Sequence, residues 1–155
     1  MRIAMALGAL VLALGCGGLM GFGNEMGRGQ ASSGTPFSFS FTTNTDQPHQ
    51  LWLDYELTST GPFEVTGPLE AKVNGQSVGT WTLDLRPDQA PIVGETTQMS
   101  MNSMNSSVNG NYTASATVWL TEVPAQPQGT TVEISGTWTA GASTTVTRLE
   151  PIATD

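Results

Sequence analysis

The stretch PFSFSFTTN, residues 36–44, puts an aromatic ring at every second position, with serines between Phe37, Phe39 and Phe41. A period of two belongs to an extended strand, whose successive side chains point to opposite faces; a helix would send Phe39 to the far side of its two partners. The alternation returns in QLWLDYELTS (50–59), where Leu51, Leu53, Tyr55 and Leu57 interleave with Trp52, Asp54 and Glu56. Leu69, Ala71 and Val73 lead into Asn74-Gly75, and Trp81, Leu83 and Leu85 follow it. Asn-Gly suits a type I′ hairpin turn because both residues accept positive φ. Met99 and Met101 keep strand phase before a second such pair, Asn109-Gly110; then come Tyr112, Ala114, Ala116, Val118 and Leu120, and later Val132, Ile134 and Trp138. RPDQAP (86–91) and PAQPQG (124–129) read as loops by their prolines. The expectation is an all-β chain of about seven to nine strands, an antiparallel β-sandwich of immunoglobulin-like size, with a small barrel as the alternative. The Cys–Trp–Cys spacing of antibody domains is absent.

Charge narrows the possible partners. Only 12% of the 155 residues are charged, against about a quarter in a typical soluble domain, so solubility rests on Ser, Thr, Asn, Gln and Gly. Thirteen carboxylates face five Lys and Arg, for a net charge of −8. Beyond Arg2, the cations are Arg28, Lys72, Arg86 and Arg148, spread along the chain. Such spacing makes no patch for phosphates, which excludes nucleic acid as an expected partner, and it gives no polybasic grip on anionic lipid.

The N-terminus has a different character. Arg2 precedes Ile3 to Leu14, an uncharged apolar run of twelve residues. That is the length of a signal-peptide core and well short of the roughly 20 residues that cross a bilayer. LALGC (12–16) ends the run on the chain's single cysteine. This motif resembles the lipobox of bacterial lipoproteins, with Gly15 as the small residue before the cut. Ala13 and Leu14 stand where the best-known form has Leu and then Ala or Ser. The resemblance covers the first 16 residues only. It implies cleavage before Cys16, diacylation of its thiol, and anchorage in a membrane. Gly17, which is not the Asp that retains such proteins in the inner membrane, implies the outer membrane or cell surface.

The expected organisation is a signal peptide (1–15), lipidated Cys16 with a Gly-rich flexible tether (16–34), and the β-sandwich (35–155). The same residues admit two other readings: a transmembrane anchor running on through Phe22, or a secretory signal cut after Ala31.

Residues fit for chemistry are sparse. His49, the lone histidine, falls in the loop DQPHQ and reads as solvated. No Ser or Cys nucleophile motif accompanies it, so no catalytic residue is assigned and the chain is expected not to be an enzyme. Zinc needs three or four His or Cys ligands; calcium accepts scattered oxygens, but Asp54 and Glu56, or Asp84 and Asp88, read as solvated carboxylates. No metal or cofactor is expected. Trp81 and Trp138 are in phase with aliphatic neighbours and belong to the core. Trp52 and Trp119 are out of phase: either the other sheet, a loop or the tether covers that side, or, where it is wet, two indoles are free to stack on a sugar or pack on a partner. QMSMNSMNSSVNGN (98–111) reads as a mobile hairpin. Three roles follow as expectations: a membrane-anchored lipoprotein with a structural or interaction role, a glycan-binding module using Trp52 and Trp119, or a subunit of an envelope assembly exchanging strands at a sheet edge.

Overall fold

The computed structural model describes residues 23–87, 92–93, 96–97, 100–108 and 110–155. Among them every helix or strand element is a strand: β1 (Glu25–Arg28), β2 (Pro36–Thr42), β3 (His49–Ser59), β4 (Val65–Val73), β5 (Gln76–Leu85), β6 (Ile92–Val93), β7 (Thr96–Thr97), β8 (Ser100–Val108), β9 (Asn111–Val123), β10 (Thr131–Thr137), β11 (Thr139–Ala140) and β12 (Thr144–Thr154). Nine have four or more residues, and β6, β7 and β11 have two each. One sheet runs β1-β12-β3-β9-β8; the other runs β2-β10-β4-β5-β6-β7, with β11 also on β4. All pairings are antiparallel. This is the β-sandwich that the alternation predicts.

Leu51, Leu53 and Leu57 of β3, Ala114 to Leu120 at alternate positions of β9, and Leu149 of β12 form the inner face of the first sheet. Phe37, Phe41, Leu69, Ala71, Leu83, Val132 and Ile134 meet them from the second. Trp138 is fully buried between β10 and β11, its ring 4.6 Å from that of Phe37 and tilted by 58°. Gly67 lies opposite it with φ +151°, and a Cβ there would strike the carbonyl oxygen of Thr137. Only glycine lets β4 pass so close. Asn74 (φ 51°) and Gly75 (φ 76°) form the expected I′ turn between β4 and β5.

Two expectations change. Residues 24–34 belong to the fold and not to the tether: β1 pairs with β12, the amides of Gly29 and Ala31 donate to the carbonyls of Pro151 and Leu149 at 2.8 Å, and Ala31 is buried in the core. Trp81 is half-buried at the core's edge, its indole lying over Gly79, where any Cβ would collide with it. The Met- and Asn-rich stretch forms the expected hairpin arm: it contributes β8, which pairs with β9 from Ser100 to Val108. Met99, Asp88 and Asn109 lie outside the described residues.

Candidate functional site

Cys16 lies outside the described residues. The first of them, Gly23 and Asn24, sit at one end of the sandwich beside Asp155. Asn24 Nδ2 donates to Asp155 Oδ2 at 2.9 Å, and Asn44 Nδ2 donates to the same oxygen at 3.0 Å. These donors hold the Asp155 carboxyl below the ordinary carboxylate range. Two loops close the same end: Gln128 N donates to Asp46 Oδ1 (2.6 Å) and Thr43 Oγ1 to the Pro127 carbonyl (2.7 Å).

His49 lies just inside this end and is not the solvated loop residue that its neighbours in sequence suggest. It is the first residue of β3, 1% exposed, with its ring 5.6 Å from that of Phe41. Asn44 spends its amide on Asp155, so its Oδ1 accepts from His49 Nε2 at 3.2 Å. Nδ1 is buried with no hydrogen-bond partner among the described residues. The imidazole therefore faces an amide and a phenyl ring, an arrangement that orders the β2–β3 loop.

The outer face of the first sheet carries the tryptophans singled out above. Ile152, Trp52 and Trp119 stand side by side across β12, β3 and β9. Trp52 is outside the core cluster yet only 7% exposed, its Nε1 donating to Gln50 Oε1 at 3.1 Å. Ile152 is 8% exposed and Thr154 2%. Trp119 is half-buried, and its Nε1 has no partner among the described residues. The two indoles share a face, and Trp52 has little surface left for a ligand to stack on.

Beside this row lies a charge network. Arg28 contacts Glu150 at 2.5 Å, Glu25 at 2.7 Å and Asp54 at 3.9 Å, and Arg148 contacts Asp54 at 3.2 Å and Glu56 at 3.7 Å. Arg28 also holds the Glu25 carboxyl below its usual range. Elsewhere Arg86 bridges Asp84 (2.7 Å) and Glu64 (2.8 Å), and Lys72 meets Glu70 at 2.9 Å. Exposed and half-exposed pairs of this kind add little to stability, because solvent screens them. Their larger effect is chemical, because each cation is committed to carboxylates. Among the described residues, no group of three or more His, Cys, Asp or Glu is placed to hold a metal ion.

Comparison with known proteins finds no matching family model, no matching curated protein and no matching solved structure. The site must therefore be argued from the chain's own residues. Sequence reasoning missed the Asn24–Asp155–Asn44–His49 chain and the buried Ile152 and Thr154. No local signal marks them: the Asn24 and Asn44 partners of Asp155 are 131 and 111 residues away in sequence.

Proposed function

We propose that the chain is a bacterial envelope lipoprotein, acylated at Cys16, which presents a non-catalytic β-sandwich in the periplasm or at the cell surface, on the outer membrane. The observation that carries this reading is the junction itself: LALGC ends on the single cysteine, and the fold begins almost at once, with β1 at Glu25. Six residues lie between Cys16 and Gly23, so the seven steps from one to the other span at most about 25 Å when fully extended. Such a link would hold the end formed by Asn24, Asp155 and the loops around Asp46 and Gln128 towards the bilayer.

Among the described residues, Asp46 and Asp155 at that end accept hydrogen bonds from neutral amides, and anionic headgroups would repel them. The acyl chains must then supply the membrane affinity. Each buried methylene contributes about 0.8 kcal/mol, so two or three chains anchor firmly where one is marginal.

The test is Cys16→Ser in a bacterial host, with palmitate labelling, membrane fractionation and intact mass. The expected outcome is loss of label, loss of the acyl mass increments and release of the domain from the membrane fraction. A variant that stays membrane-bound at full length would overturn the reading in favour of a transmembrane anchor.

A further inference from the structure

We infer that the free edge of β8 is a self-association surface, on which a second copy of this chain pairs antiparallel to extend the five-stranded sheet across a twofold axis. The inference goes beyond the anchoring reading and does not depend on it.

A strand edge offers unpaired N–H and C=O groups to any other strand, and proteins blunt such edges with charge, proline, brevity or cover. Three of the four outer strands here are guarded. β1 has four residues, a bulge between Glu25 and Gly27, and the charges of Glu25 and Arg28. β2 opens on Pro36, and β1 crowds it: a Cβ on Gly27 would come within 3.1 Å of the Ser40 carbonyl oxygen. β7 has two residues. β8 has nine, SMNSMNSSV, with neither charge nor proline, and among the described residues it pairs only with β9.

Charge argues for the occupant. Two copies of a chain at −8 repel over most of their surfaces, yet residues 96–121, which include β8 and nearly all of β9, contain no Asp, Glu, Lys or Arg. This hairpin is where an equally acidic copy approaches without cost.

The residue pattern sets the register. An irregularity between Met101 and Met104 leaves Met104–Val108 as the regular run. Paired antiparallel about Ser106, it matches itself: Met104 stands opposite Val108 of the second copy, Asn105 opposite Ser107, and Ser106 opposite Ser106. An apolar pair then meets an apolar pair and a polar pair a polar one, in the isologous arrangement that a twofold axis requires.

The test uses the full chain in two forms, the mature membrane-extracted protein and Cys16→Ser, by sedimentation across concentration. A dimer in both forms is expected. S106K and S106D should each weaken it by about fivefold or more, because like charges then meet at the axis, and mixing the two should restore a heterodimer. Far-UV circular dichroism checks that each variant retains its strands. Should either misfold, Ser106→Cys in the Cys16→Ser background keeps the question decidable: oxidation should link two chains there, and not at Thr58→Cys. A monomer at all concentrations, association confined to the form with Cys16 intact, or cross-linking no better at 106 than at 58 would each overturn the inference.

Discussion

Replacing Trp138 sets two opposed terms against each other. The side chain is fully buried, packs on Phe37, and carries an Nε1 with no hydrogen-bond partner among the described residues. Truncation to Ala removes the whole ring system and should cost about 3–5 kcal/mol, a large share of the roughly 5–15 kcal/mol that holds a domain folded. Trp138→Phe behaves differently. It leaves a void of roughly 40 Å³, worth about 1 kcal/mol at some 24 cal/mol per Å³. It also deletes an N–H whose burial without a partner costs about 1–3 kcal/mol, less whatever the tilted Phe37 ring returns as a weak N–H···π contact. The two terms nearly cancel, so Trp138→Phe should lie within about 1 kcal/mol of the parent. Urea unfolding followed by far-UV circular dichroism, which does not depend on indole emission, measures both variants. A Phe variant as unstable as the Ala variant would refute the reasoning and show that the indole N–H has a strong partner.

Two further outcomes follow from burial. Gly29→Val should destabilise the domain by about 1–3 kcal/mol in the same unfolding assay, because its Cβ would come within 2.6 Å of the Phe39 ring and 3.2 Å of Pro151; the exposed neighbour change Gln30→Ala should do nothing, whereas a tether through residue 34 predicts silence from both. Burial pushes the Tyr55 phenol up to about 12. Its unfolded value is near 10, so the neutral ring's contribution is complete below pH 10 and is lost as pH rises through about 12. Thermal unfolding across that window should show a fall that Tyr55→Phe removes. At the acid end the sign reverses: Glu25 and Asp155 are held low, so their contribution is present above the ordinary carboxylate range and fades as pH drops below it.

Much of the architecture was legible because a strand with one face on a core must alternate, and the alternation is written in residue order. Leu51, Leu53, Tyr55 and Leu57 are all buried, and Asn74-Gly75 turns where it should. Less of the site was legible. Glycine-rich EMGRGQ looks like a linker, yet Gly27 and Gly29 are small because β2 and Pro151 press on them. His49 follows a proline in a polar loop, and only Phe41 and Asn44 make it a buried residue. Trp52 is out of phase with its neighbours, a pattern that identifies its face but carries no information on how much of that face is closed.

Residue order by itself thus determined strand content, inner faces and the position of a tight turn, because those depend on neighbours within a few residues. It also contains the motif at Cys16, which is local. Only the tertiary structure decided that β1 closes on β12, that His49 and Trp52 are buried, and that β8, among the described residues, pairs on one side only. Each of these depends on which distant strands become neighbours, and that is settled by packing two sheets together, a property of the whole chain and of no segment within it.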